Sequence, residues 1–200
     1  TVVEILPRKT ELVRPPIANV DTALIVFSAA QPEPNRRLLD KFLALAELAG
    51  LRPVLAFTKT DLLERDDAED AGDAPADGIA SWVRLYERIG YPVFLTNKRD
   101  ETAIDALRRE LAGRITVVAG QSGVGKSTLL NRLVPGLQLA TNEISTKLGR
   151  GRHTTRHVEL FPLDGGGLVA DTPGFSSLEF PEMEPEELGA AFPEIAELSE

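Results

Sequence analysis

Cysteine is absent from the 200 residues, so no disulfide braces this fold and no thiolate can ligate zinc or an iron–sulfur cluster. Two histidines are too few for an imidazole-rich metal site. No run approaches the roughly 18 consecutive apolar residues that a membrane-crossing helix needs. The opening TVVEILPRK lacks the charged start, apolar middle and small-residue end of a signal peptide. Positive charge is also in deficit: 22 Lys and Arg face 31 Asp and Glu, a net charge of -9. Such a chain is a poor non-specific ligand for nucleic acid or an anionic membrane. If it meets RNA, most of this surface is not what holds it. What the chain does have is 42% hydrophobic residues, enough for one ordinary domain with a full core. These features favour a soluble, cytoplasmic protein without membrane contact, and a monomer is expected.

Residues 1–16 are basic, β-prone and end in Pro15-Pro16, and they read as the last strand of something upstream plus a linker. Strands and helices then alternate. Continuous apolar runs at Thr22–Ala30, Pro53–Thr58, Pro92–Leu95 and Arg114–Ala119 suit buried parallel strands. Helical spacing marks Asn35–Ala49, Ile79–Ile89, Thr102–Leu111 and Lys126–Leu133. His157–Leu163 and Gly167–Asp171 flank Asp164-Gly165-Gly166, a hairpin turn. Residues 64–78 are acidic, lack large apolar side chains and are expected to form an exposed, mobile loop. The acidic tail Met183–Glu200 reads as helical. The alternation predicts an α/β three-layer sandwich with a mainly parallel sheet.

Gly120-Gln121-Ser122-Gly123-Val124-Gly125-Lys126-Ser127 matches G-x-x-x-x-G-K-[ST], and it lies between a predicted strand and a predicted helix. The spacing has a physical reason. Glycines let the backbone wrap a phosphate with successive N–H groups pointing inward. The helix that follows presents its free N–H groups and partial positive charge to the same anion. Lys126 adds a full charge, Ser127 a hydroxyl sized to ligate Mg²⁺, and Thr128 completes the candidate phosphate set. A Gly-rich strand-to-helix turn is the bland alternative. The motif does not choose ATP over GTP.

Asp171-Thr172-Pro173-Gly174 follows another apolar run. An Asp at a strand end near a phosphate loop commonly serves Mg²⁺, and Gly174 can offer its N–H to a γ-phosphate. The alternative is a Pro-Gly turn. Thr58-Lys59-Thr60-Asp61 ends a strand. Its carboxylate could accept two hydrogen bonds from guanine, whereas adenine has neither donor on that edge and would leave Asp61 unpaired. The Lys59 stem can lie over the base. Alternatively, Asp61 simply caps a helix starting at Leu62.

These motifs resemble the G1, G3 and G4 elements of translation-factor-like GTPases, but in a circularly permuted order: base motif, phosphate loop, then D-T-P-G. Together with LPRKTELVRPPIANVD (6–21), AGQSGVGKSTLLN (119–131) and GRGRHTTRHVEL (149–160), this order resembles the ribosome small-subunit-dependent GTPase A family, RsgA or YjeQ. The resemblance implies a permuted P-loop GTPase fold over residues 17–182, with G4-G5-G1-G2-G3 order. It implies GTP hydrolysis stimulated by the 30S subunit during its late maturation, and contact with 16S rRNA. Residues 1–16 would be the end of an OB-fold, and 183–200 the start of a zinc-binding domain whose metal ligands this chain lacks. The chain is thus expected to be the core of a longer protein, with GTP/GDP and Mg²⁺ bound here and Zn²⁺ elsewhere. Thr96, Asn97 and Lys98 would be the G5 element beside the base, with Thr58 in place of the usual Asn.

Thr154 and Thr155 lie in the Arg-rich segment Gly149–Arg156, which looks like switch I, and Thr155 is the expected contact to Mg²⁺. Phe175 stands after D-T-P-G, where many small GTPases have a water-orienting Gln. His153, beside the switch threonines, is the candidate to position that water. Two other readings compete: a P-loop ATPase, which has no use for Asp61, and a nucleotide-dependent RNA-binding module without significant turnover.

Overall fold

A computed structural model describes residues 7–12, 16–63, 78–139, 159–171 and 191–196. Two short strands open the chain, β1 (Glu11–Leu12) and β2 (Ile17–Ala18). The body alternates β3 (Thr22–Ser28), α1 (Arg36–Leu48), β4 (Arg52–Thr58), a 3₁₀ turn (Thr60–Leu62), α2 (Ile79–Ile89), β5 (Val93–Leu95), α3 (Glu101–Leu111), β6 (Ile115–Ala119) and α4 (Lys126–Leu133). It closes with β7 (Glu159–Pro162), β8 (Leu168–Asp171) and the short α5 (Pro193–Ala196).

β3 to β8 form one six-stranded sheet in the order β5-β4-β3-β6-β8-β7. All its neighbours pair in parallel except β7, which runs antiparallel to β8 at the edge, joined by the Asp164–Gly166 turn. Strand β3 is buried along its whole length, as a central parallel strand covered on both faces must be. Its side chains alternate accordingly. Ala23, Ile25 and Phe27 pack with Leu39, Phe42 and Leu43 of α1 and with Trp82 and Tyr86 of α2. Leu24 and Val26 pack with Ile104, Leu107 and Leu111 of α3 and Leu129, Leu130 and Leu133 of α4. Two cores on opposite faces of one sheet make the expected three layers.

Local chemistry sets the helix limits. Asn35 accepts a hydrogen bond from the Leu38 N–H at 3.1 Å and starts α1, and Asp100 does the same for the Ala103 N–H at 3.0 Å in α3. Gly90 ends α2 at φ 108°, where a Cβ would be strained.

Short strands on either side of residue 16 pair with each other. Glu11 and Leu12 pair with Ala18 and Ile17, and Leu12 is buried in the α1/α2 core. Thr10 Oγ1 donates to the Val20 carbonyl at 2.7 Å. Half-buried apolar residues in a short hairpin gain more by packing on the core than by staying extended. The acidic stretch of the predicted loop lies outside the described residues, as does most of the predicted C-terminal helix. Among the described residues no helix is long and apolar enough to cross a membrane.

Candidate functional site

The parallel strands point their carboxyl ends to one rim, where ligands of open α/β sheets gather. The segments that follow β3, β4, β5 and β6 meet there. Between them lies a cavity of about 620 Å³, within the range of ligand pockets, lined by Gln31, Lys59, Asp61, Leu62, Lys98, Ser122, Gly123, Gly125, Lys126, Ser127 and Thr128. Base motif and phosphate loop, far apart in the chain, therefore face one space.

The phosphate loop is built as its glycines require. Gly120, Gly123 and Gly125 have φ of 141°, 81° and 97°. A Cβ on Gly120 would stand 2.2 Å from the Val26 carbonyl oxygen, so close approach and backbone angle both demand glycine there. Gly125 leads into α4, whose N-terminal residues Lys126, Ser127 and Thr128 border the cavity. The Lys126 ammonium donates to the Gly120 and Gln121 carbonyls, each at 2.6 Å, and spans the loop it closes. Val124 is buried beneath the loop among the α3 and α4 leucines.

The base-motif residues divide. Lys59 sits at φ 60°, unusual for a residue with a Cβ. Its ammonium donates to the Gly123 carbonyl at 2.8 Å and also to the Gln31 carbonyl. Asp61 lies within the 3₁₀ turn, and no side-chain bond caps that turn. Its carboxyl-bearing side chain borders the cavity, and the N–H groups of residues 64 and 65, which the capping alternative would engage, lie outside the described residues. Thr58 stands against the phosphate loop. It is buried, and its hydroxyl donates to the Val124 carbonyl, lashing the end of β4 to the phosphate loop.

The G5 triplet divides in the same way. Thr96 is buried, its hydroxyl donates to the Phe57 carbonyl at 3.2 Å, and its own carbonyl accepts from the Thr60 N–H and hydroxyl. Asn97 Oδ1 accepts from the Arg99 and Asp100 N–H groups at 2.8 and 3.1 Å and shapes the turn into α3. Only Lys98 of the three borders the large cavity. Thr58, Thr96 and Asn97 line a small recess of about 50 Å³ beside it, with Thr128 and Arg132.

Two participants were missed from sequence. Arg132 on α4 donates to the Asn97 and Asp100 carbonyls and pairs with Glu101 at 2.7 Å, tying the G5 turn to the helix of the phosphate loop. A lone Arg on an exposed helix face carries no signal for that. Gln31 belongs to the turn after β3 and to no motif. Asp171 ends β8, which pairs with β6 through Leu168, Val169 and Ala170, so its backbone stands beside the strand that feeds the phosphate loop. His153, Thr155 and Gly174 lie outside the described residues. Among the described residues no cluster of His, Asp and Glu could hold a metal by itself.

Comparisons with known proteins agree with this geometry. The family model described as RsgA GTPase matches residues 5–181. The small ribosomal subunit biogenesis GTPase RsgA of Halalkalibacterium halodurans is 53% identical over 194 residues, which is 97% of this chain and 63% of that protein. The protein of the same name from Bacillus subtilis is 53% identical over 196 residues, 98% of this chain and 63% of that one. Of solved structures, YloQ, a circularly permuted GTPase, superposes with TM-score 0.73 at 44% identity over 97% of this chain and 58% of its own. YjeQ from Thermotoga maritima gives 0.72 at 38% identity, covering 94% and 60% respectively. The chain thus spans a little under two thirds of the length of these relatives.

Proposed function

The chain belongs to the RsgA GTPase family, and from that premise we propose that it binds and hydrolyses GTP as an assembly factor of the small ribosomal subunit, in the cytoplasm, with turnover stimulated by that subunit. One observation carries the nucleotide part: Asp61 and Lys59 border the same cavity as Lys126 and Ser127. A carboxylate and a glycine-rich, lysine-bearing loop around one cavity match a guanine base and a polyphosphate in kind.

The roles follow from the chemistry. The N–H groups of the loop Gly120–Gly125 and the amino end of α4 bind phosphate oxygens, while Lys126 exchanges its carbonyl partners for the stronger charge of the β- and γ-phosphates. Asp61 reads N1–H and the N2 amine of guanine, and the Lys59 stem covers the base. Thr58, Thr96 and Asn97 hold these groups in place through the backbone, and Lys98 borders the base end. Ser127, Asp171 and Thr155 would hold Mg²⁺, and their oxygen donors suit a hard cation. That ion, when bound, neutralises charge developing on the transferred phosphate. His153 orients the attacking water, and the Gly174 N–H meets the γ-phosphate. The ribosomal partner comes from the names of the relatives.

Two measurements test this. GDP should bind far more tightly than ADP, and GTP turnover by the full-length protein should rise on adding small ribosomal subunits. Equal affinity for ADP would move the chain to the ATPase reading. GDP preference without any turnover on the subunit would leave a nucleotide-dependent binding module.

A further inference from the structure

We propose that Gln31, in the turn between β3 and α1, is a further ligand-binding residue of the nucleotide site, whose side-chain amide donates to the polyphosphate. The proposal rests on the reading of this cavity as a nucleotide site and deepens it.

The backbone of Gln31 is fixed from three sides. Its carbonyl accepts from the Ser28 hydroxyl at 2.7 Å, and Ser28 is buried at the end of β3. The same carbonyl accepts from the Lys59 ammonium, which also donates to Gly123 of the phosphate loop. Pro32 follows at once, and its Cδ lies 3.9 Å from where a Cβ on Gly123 would stand. Sequence-distant elements thus hold this one residue against the outer wall of the phosphate loop. Such anchoring of an exposed turn goes beyond what starting α1 requires, since Asn35 already caps that helix.

The side chain, by contrast, is uncommitted. Gln31 is exposed, borders the cavity beside Ser122 and Gly123, and its amide makes no hydrogen bond among the described residues. An amide with two N–H donors on a pinned backbone, beside Ser122 and Gly123 of the phosphate loop, matches phosphate oxygens, which only accept. Its exposure means that little desolvation opposes the contact, so a hydrogen bond to a charged acceptor keeps most of its worth.

Binding of GDP and of guanosine to the full chain, with wild-type, Gln31→Ala and Gln31→Glu proteins, tests this, alongside thermal unfolding without nucleotide. Gln31→Ala should weaken GDP about tenfold, the loss of one hydrogen bond to a charged group, and leave guanosine and the unfolding temperature unchanged. Gln31→Glu should weaken GDP further, because it brings a carboxylate to the phosphates. An unchanged GDP affinity in Gln31→Ala, or equal losses for GDP and guanosine, would overturn the proposal. A wild-type protein that preferred ADP would refute the guanine reading instead, and the same comparison with ADP and adenosine would still decide the role of Gln31.

Discussion

Replacing Thr58 with Val tests whether the base motif and the phosphate loop are one mechanical unit. Thr58 is 7% exposed and ends β4, where a β-branched residue fits the strand. Valine keeps the branch and nearly the volume but sets a methyl against the Val124 carbonyl, which now receives the Thr58 hydroxyl. Val124 is 1% exposed, so water cannot readily replace the lost donor. An acceptor stranded in this way costs about 1–3 kcal/mol. Taking about 2 kcal/mol, the unfolding temperature should fall by about 4–8 °C for a domain of this size. The bond ends inside the phosphate loop, so the damage should also appear as weaker GDP binding. Thr58→Ser is the control. It keeps the donor and loses a methyl, so it should lower stability modestly yet retain GDP affinity. Thermal and urea unfolding without nucleotide, with GDP titration of the three proteins, are the assays. A Thr58→Val protein as stable as wild type and binding GDP equally would refute the reasoning.

Asp61→Asn should weaken GDP by about two orders of magnitude, since two hydrogen bonds to a charged acceptor are lost or reversed, and should admit xanthosine diphosphate. The nucleotide-free unfolding temperature should not move, because the carboxylate makes no hydrogen bond among the described residues; competition titration and calorimetry read the two effects. Gly120→Ala meets the Val26 carbonyl at 2.2 Å on a backbone at φ 141°, so it should cost about 3–5 kcal/mol and abolish nucleotide binding, measured by urea unfolding and GDP titration. Burial raises the Glu47 carboxyl above its ordinary value of 4.5, with nearby Glu194 adding to the shift and a hydrogen bond from Tyr91 opposing it. A raised acid binds its proton more tightly when folded, so its contribution is fully present at and below the ordinary value and fades as pH rises through the raised one. Glu47→Gln should therefore flatten the decline in the urea midpoint just above pH 4.5 and leave the protein more stable at neutral pH; an unchanged pH profile would count against it.

Much was legible in the residues because local chemistry dictated it. The apolar runs became parallel strands, the 3.6-residue spacing became α1 to α4, and Gly165-Gly166 turned the β7–β8 hairpin. The phosphate loop could be named because its glycines answer a purely local demand, as the positive φ of Gly120, Gly123 and Gly125 bears out. Less legible was what each polar side chain would touch. Leu12 joined a core that its Pro-bounded, basic neighbourhood did not advertise, since packing against α1 and α2 is a long-range gain.

Sequence alone determined the layered fold class of the circularly permuted GTPases, the order of the motifs and the family, because periodicity and fixed spacing are written along the chain. Only the tertiary structure decided the division of labour at the rim. Thr58, Thr96 and Asn97 spend polar atoms on backbone, Lys59 clasps two carbonyls from other elements, and Gln31 is held by its carbonyl, with no hydrogen bond to its amide among the described residues. The physical reason is that a hydrogen bond depends on which atoms meet within about 3 Å. At the convergent ends of parallel strands that meeting is arranged by residues dozens of positions apart.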